Sequence, residues 1–296
     1  MPIQQITIVG TGLIGGSLGL ALRRHGFQGK IVGCDKPEVL ETAVTRGAID
    51  RGITDIKQAA RDSDVVVLAT PVGAILSLFE KLAPTLPIPT LITDTGSTKQ
   101  QFAERARMVL GALAGERVLP GHPMAGKELG GIENADPELF RDATWLITPI
   151  GPNPQYTTRQ REYIELLGSV GARAISMDPE RHDRLCAWIS HLPQMISTAL
   201  ASVLQEELGD EKAVAQIGGR ALQEMTRIGH SPYSMWRDIA LTNSENLEEA
   251  LLRYEQQLAH LRENLRGPGL RGLFELANQF GLPRKRQEDV AGEPSG

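Results

Sequence analysis

His122 stands between Gly121 and Pro123 in the stretch GHPMAG. Pro123 removes a backbone donor and discourages helix at His122. An imidazole titrates near neutrality and can serve as a general base. The same packaging also fits a loop histidine satisfied by backbone groups. Ser97 and Lys99 belong to TDTGSTK at 93–99, a polar loop that follows an apolar run. His191 interrupts the apolar stretch WISHLPQM, with Pro193 two residues on. A proline there frees backbone groups and bends a helix, which raises a functional reading beside that of a hydrogen-bonded core histidine. Arg227 lies in TRIGHSPYSMWRDI at 226–239. Its guanidinium can clamp a carboxylate through two parallel hydrogen bonds or form an ordinary surface ion pair.

A second constellation opens the chain. GTGLIGG at 10–16 directly follows the apolar run QITIVG. Gly10, Gly12 and Gly15, with Leu13 and Ile14 between the last two, match the dinucleotide fingerprint G-x-G-x-x-G. Glycines there permit a tight turn and close approach of a pyrophosphate to a helix N-terminus, whose free N–H groups and dipole favour anions. Asp35 ends the second apolar run, 20 residues beyond Gly15. A carboxylate at that place can bind both ribose hydroxyls and repels a 2′-phosphate, so it points to NAD over NADP. Lys36 beside it moderates that preference. Thr70 and Pro71 in ATPVGAI at 69–75 either let a loop pass close to the cofactor or simply end a strand.

The elements that must position these groups follow from periodicity. Strands are expected at 5–10, 30–35, 64–70, 90–96, 117–123, 144–150 and 172–177, with a helix from about 14 to 25. Near-continuous apolar strands alternating with helices imply a parallel sheet covered on both faces. Ligands of such sheets bind beyond the carboxyl ends of the strands, which is where Ser97 and His122 fall. After Met177 only helical patterns remain, at about 179–208, 210–228, 232–264 and 268–280. The expected class is an α/β Rossmann-type doubly wound parallel sheet followed by an all-α domain. The boundaries are 1–177 for nucleotide binding, 178–282 for a helical substrate and dimerisation domain, and 283–296 for a disordered tail.

Composition narrows the functional classes. The 296 residues carry a net charge of -5, which argues against a nucleic-acid surface. Aromatic residues are only 4% against 41% hydrophobic, so aliphatic side chains must fill the core. Cys34 and Cys186 fit neither a disulfide framework nor a metal spacing, and a reducing cytoplasm is the simple setting. No basic, apolar leader precedes the first strand, and no apolar run approaches the roughly 18 residues that span a bilayer.

Taken in order, GLIGGS (12–17), TDTGSTK (93–99), GHPMAG (121–126), SHLPQ (190–194) and TRIGHSPYSMWRDI (226–239) resemble the prephenate/arogenate dehydrogenase family of tyrosine biosynthesis. The resemblance implies an NAD-dependent oxidoreductase built from a Rossmann domain and a dimer-forming helical domain of the 6-phosphogluconate dehydrogenase C-terminal type. It implies an oxidative decarboxylation in which hydride leaves the carbon bearing the ring hydroxyl and the ring carboxylate leaves as carbon dioxide. By the same resemblance His122 withdraws the hydroxyl proton, Ser97 orients His122 or the hydroxyl, His191 lines the substrate pocket and Arg227 binds a substrate carboxylate.

Two features depart from the family pattern. Members using prephenate often read SHLPH, whereas this chain has Gln194. Expected to meet the substrate side chain, Gln194 suits the keto acid of prephenate or the amino acid of arogenate. The segment GGRALQEMTR also departs, so Arg220 receives no role. Prephenate is favoured over arogenate. No fused regulatory or chorismate mutase domain is expected after Arg284. A β-hydroxyacid dehydrogenase would need a catalytic lysine on a Gly-rich helix near 165–185, which is absent. A non-catalytic NAD-binding regulator would need none of Ser97, His122, His191 and Arg227.

Overall fold

A computed structural model describes residues 2–127, 129–151, 155–209 and 211–280; the tail at 283–296 lies outside them. Six parallel strands form the main sheet: β1 (Gln5–Val9), β2 (Lys30–Cys34), β3 (Arg51–Gly52), β4 (Val65–Leu68), β5 (Leu91–Asp94) and β6 (Val118–Leu119), in the order β3-β2-β1-β4-β5-β6. Successive side chains of a strand face opposite ways. Ile6, Ile8, Val65, Val67 and Leu91 therefore join one apolar cluster, while Val9, Val66, Leu68 and Ile92 join another. Both faces of the sheet are thereby buried, as aliphatic runs without polar alternation require.

The run expected as one strand at 117–123 is two strands. Pro120 supplies no N–H and interrupts the ladder. Beyond it, β7 (Gly121–Pro123) leaves the main sheet and pairs antiparallel with β8 (Thr144–Ile147), which pairs parallel with β9 (Arg173–Ser176). The sequence pattern also misses β3, a two-residue edge strand too short to leave a periodicity.

The chain condenses into two compact units, Met1–Leu247 and Glu248–Gly296. The change of texture expected at Asp178 falls inside the first. There the helix Pro179–Cys186 runs through a π-helical turn, Ala187–His191, into the helix Leu192–Leu208. Pro193 stands in the first turn of that last helix. Having no N–H, it cannot close a regular turn, and π-turns inside helices relieve such interruptions. The expected helix at 210–228 is broken by Gly218 and Gly219, and that at 232–264 breaks at Asn243, between helices Tyr233–Thr242 and Ser244–Glu263.

Two of the helix N-termini around the sheet that lack side-chain caps are capped from elsewhere in the chain. Pro71 precedes the helix Val72–Leu82 and Lys99 precedes the helix Gln100–Leu110, neither with a side-chain cap. Carboxylates from the later helices take that place. Asp238 accepts from the Gly73 amide at 3.0 Å. Asp183 accepts from the amides of Lys99 and Gln100 at 2.7 and 2.9 Å. Each satisfies orphan N–H groups and complements the helix dipole. Asp238→Ala is expected to cost about 1–2 kcal/mol, the magnitude of a lost cap. A urea-unfolding midpoint that does not move would contradict this.

Candidate active site

The nucleotide end is built by glycines. Gly10 turns at φ +91, and a Cβ on it would lie 2.6 Å from the Ala69 carbonyl oxygen. Only glycine lets the loops after β1 and β4 meet there. At Gly12, which caps the helix Leu13–Arg24, a Cβ would meet nothing within 4 Å. The space before this helix N-terminus is thus open to an anion, with Leu13 and Ile14 half-buried beside it. Packing at Gly15 is the reverse: a Cβ would sit 2.0 Å from the Gly10 oxygen, so helix and turn are in contact. Asp35 is fixed from both sides, Oδ2 accepting from the Thr11 amide and Oδ1 from the Lys36 amide, each at 2.8 Å. Thr70 Oγ1 is buried without a partner among the described residues, next to Pro71 at the start of its helix. Open space at Gly12, an orphan hydroxyl and an anchored carboxylate at the topological switch point fit a dinucleotide.

At the ends of β5 and β7 lies a buried polar chain. Asp94 closes β5 and accepts from the Gly96 and Gly121 amides at 2.9 and 3.1 Å. It also pairs with Lys99, whose side chain is wholly buried. Burial pushes the Asp94 carboxyl up, against the pull of Lys99 and the two amides. Gly121 must be small: a Cβ would lie 2.7 Å from Trp145 Nε1 and 3.0 Å from the Asp94 carbonyl oxygen.

His122 follows immediately. It lies on β7 opposite Leu146 rather than in a strand-end loop, and is only 7% exposed. Its Nδ1 is 3.0 Å from Nε2 of His182, and His182 Nδ1 is 2.7 Å from Asp183 Oδ1. Burial first, then the charges of His182, Lys99 and His191, hold the His122 imidazole well below its ordinary pKa. Cys186 Sγ approaches His182 Nε2 at 3.6 Å, and burial chiefly pushes its thiol up to about 12. The group His122, His182 and Cys186 has the ligand types of a metal site. With the two ring nitrogens already at hydrogen-bond distance and the thiol kept protonated, it serves as a hydrogen-bonded chain.

His191 is completely buried at the end of the π-turn. Its Nδ1 faces Asn243 Nδ2 at 3.2 Å. The Asn243 amide orientation is set on its other side, where Oδ1 accepts from Asn246 at 2.8 Å. Nδ1 therefore accepts, and Nε2 carries the proton. That Nε2–H is buried and unpartnered among the described residues, with the Trp236 ring centroid 6.0 Å from its own. It is a donor awaiting an acceptor. Burial lowers the His191 pKa to about 4.

The remaining sequence-predicted residues are placed less simply. Ser97 is half-buried in the loop after β5 and makes no hydrogen bond among the described residues; the ring partner of His122 is His182 instead. Gln194 is buried and its amide is engaged within the chain. Nε2 donates to the Ile228 carbonyl at 2.8 Å and to Thr198 at 3.2 Å, while Oε1 accepts from Ser231 at 3.3 Å. It braces the 3-10 turn Arg227–His230, rather than presenting a free amide to a ligand. Arg227 opens that turn and is exposed.

His182, Asp183 and Asn243 lie outside the motifs quoted above, and Asp94 and Lys99 lie inside TDTGSTK without an implied role. The signals at His182 and Asp183 are slight: an HD pair within a short helix, and His182 and Cys186 at i and i+4, hence on one helical face.

Comparison with known proteins gives the family. A family model described as prephenate dehydrogenase, nucleotide-binding domain, matches residues 18–176, and one described as prephenate dehydrogenase, dimerization domain, matches 178–279. The chain is 30% identical to the prephenate dehydrogenase of Lactococcus lactis over 259 residues, covering 86% of this chain and 70% of that one. The crystal structure of prephenate dehydrogenase from A. aeolicus in complex with hydroxyphenyl propionate and NAD+ superposes with a TM-score of 0.83 at 32% identity, covering 94% of this chain and 96% of that one. Synechocystis arogenate dehydrogenase gives a TM-score of 0.74 at 30% identity, covering 93% and 98%.

His191 gives a direct check on the electrostatics. Unfolded histidine takes its proton near pH 6.5, whereas folded His191 resists until about pH 4. Between these values the unfolded chain binds more protons, so stability is full above pH 6.5 and falls as pH falls toward 4. A His191 imidazole NMR titration should show a midpoint near pH 4. A midpoint of 6–7 would contradict the assignment.

Proposed function

Because the chain belongs to the prephenate dehydrogenase family, we propose that it converts prephenate, with NAD, to 4-hydroxyphenylpyruvate and carbon dioxide in tyrosine biosynthesis. The observation that carries this reading is His122, a buried imidazole at the carboxyl edge of the sheet with Nδ1 engaged and Nε2 left to accept a proton. NAD, when bound over Gly10, Gly12 and Gly15 with Asp35 on its ribose, supplies the hydride acceptor. The Asp35 carboxylate would meet a 2′-phosphate as a like charge, so NAD is preferred over NADP.

The chain's own residues handle the proton and the substrate's charge. His122 accepts the proton of the ring hydroxyl as the C–H bond beneath it breaks. Departure of carbon dioxide leaves an electron pair in the ring, which becomes aromatic and leaves a phenolate oxygen. His122 then returns its proton to that oxygen. Prephenate and NAD yield 4-hydroxyphenylpyruvate, carbon dioxide and NADH with no net proton released. His191 donates its Nε2–H to a substrate oxygen, and Ser97 lies on the loop facing the same edge. Arg227 binds the side-chain carboxylate, on a turn that Gln194 holds in place. The ring carboxylate must leave neutral, and a cation clamping it equally in ground and transition states would not raise turnover.

Gln194 carries no charge and its amide is engaged, so it does not separate a keto acid from an amino acid. Arogenate, giving tyrosine, is the second reading. The segments 1–177 and 178–282 are proposed as the nucleotide-binding and the substrate and dimerisation parts. In the helix Leu192–Leu208 only Leu192, Gln194 and Ser197 are buried, and Val203, Ile217 and Met225 are exposed. A homodimer would cover such apolar surface. No helix among the described residues is long and apolar enough to cross a membrane. Cys34 and Cys186 are free and buried, which suits a reducing cytoplasm.

Following cofactor reduction with prephenate or arogenate, each with NAD or NADP, should show the highest kcat/KM for prephenate with NAD. Equal or better efficiency with NADP would overturn the role of Asp35. His122→Ala should lower turnover by about 10²–10⁴-fold with NAD binding retained, and unchanged turnover would overturn the role of His122. Sedimentation equilibrium should give the dimer mass; a monomer at micromolar concentration would contradict the homodimer.

A further inference from the structure

Two buried groups that no family motif quoted above contains stand directly behind His122. Resting on the reading of His122 as proton acceptor, we propose that His182 and Asp183 are positioning residues that fix the His122 imidazole in its Nδ1–H tautomer, so that Nε2 faces the substrate as a lone pair. The direction of each hydrogen bond follows from the far end of the chain. Asp183 accepts from the Lys99 and Gln100 amides at 2.7 and 2.9 Å, at the N-terminus of an 11-residue helix. The oxygen facing His182 already accepts from the Lys99 amide, and a carboxylate oxygen in that role accepts rather than donates. His182 Nδ1, 2.7 Å from Asp183 Oδ1, must therefore donate.

His182 is neutral when its remaining nitrogen, Nε2, is an acceptor. Two donors converge on that nitrogen: His122 Nδ1 at 3.0 Å and the protonated thiol of Cys186 at 3.6 Å. The rings of His122 and His182 meet edge to face, with centroids 5.1 Å apart, so the contact sets the tilt of His122 as well as its tautomer. His182 and Asp183 are 0% and 1% exposed. The arrangement performs for His122 what an orienting carboxylate performs for a catalytic histidine in other enzymes, with one imidazole interposed. An imidazole left to itself in water carries its proton mainly on Nε2, the wrong nitrogen for this task.

The test uses the full chain labelled with ¹⁵N-histidine. At pH 7.5 the wild-type His122 should show a protonated Nδ1 and an unprotonated Nε2. In His182→Leu the proton should move to Nε2, and kcat should fall by at least about tenfold, within the roughly 10²–10⁴-fold that a positioned base contributes. KM for prephenate should change little. His182→Gln should recover much of the lost kcat, because its amide oxygen can accept from His122 Nδ1. A wild-type His122 protonated at Nε2 overturns the proposal without any variant. So does a folded His182→Leu enzyme with unchanged kcat where His122→Ala abolishes turnover. If instead the wild-type tautomer is Nδ1–H, moves in His182→Leu, and His122→Ala retains turnover, the positioning stands and the reading of His122 as acceptor falls.

Discussion

The Asp183 carboxylate binds the N-terminus of the helix Gln100–Leu110, and much of the site depends on that contact. A helix begins with donors that have no partner inside it. Lys99, at the capping position, reaches away to Asp94 and cannot satisfy them. The helix after Met177 supplies the missing acceptor, and its register is thereby set against the end of β5. His182, next in sequence, comes into line with His122 on β7. Asp238 repeats the device at Gly73, beside Thr70 and Pro71. Helices of the later part of the chain are thus docked through the orphan amides of the earlier part, at the strand ends where the ligands of such a sheet bind.

Burying so many polar groups is costly unless each has a partner. Asp94 meets this through two amides and Lys99, and Asp183 through two amides and His182. Removing one member of such a chain leaves the rest uncompensated, which is usually more damaging than the pair is stabilising. The exceptions are informative. Among the buried side-chain atoms that lack partners among the described residues are the His191 Nε2–H and the Thr70 hydroxyl, one near the proposed substrate position and one beside the nucleotide turn. At those two places, a ligand bound beside the group would complete its hydrogen bonding.

The sheet was legible in the sequence because both its faces are buried: aliphatic runs bounded by glycine and proline admit few other readings. The glycine turn was legible for a different reason, since Gly10 and Gly15 are required by contacts of 2.6 and 2.0 Å that any Cβ would make. The split at Pro120 was not foreseen, because a proline at a strand edge and one between two sheets look alike in sequence. Helix periodicity foresaw the path from Pro179 to Leu208 but not the π-turn, which adds one residue to a turn without changing composition. His182 and Asp183 escaped notice because their partners are 60 and 84 residues away. Spacing along a chain reports local elements and says nothing of such pairings. The position of Gln194 beside the SHLP motif suggests a ligand contact, and its side chain instead braces the turn that carries Arg227.

A base held well below its ordinary pKa is a weak acceptor, and the proposed reaction suits one. While the hydroxyl proton is in place and the C–H bond intact, the alcohol is far too weak an acid for an imidazole to deprotonate. As hydride departs, the oxygen becomes part of a forming carbonyl and its proton turns acidic. A weak base then suffices, and a stronger one would gain nothing before that moment. The same weakness aids the second half. The phenolate left by decarboxylation must recover a proton, and a buried imidazolium gives one up readily. Between the two events the positive charge sits on His122, and the Asp183 carboxylate faces it through His182. Burial sets the strength of the base and the Asp183–His182 chain sets its direction; a site that must take a proton and return it within one turnover requires both.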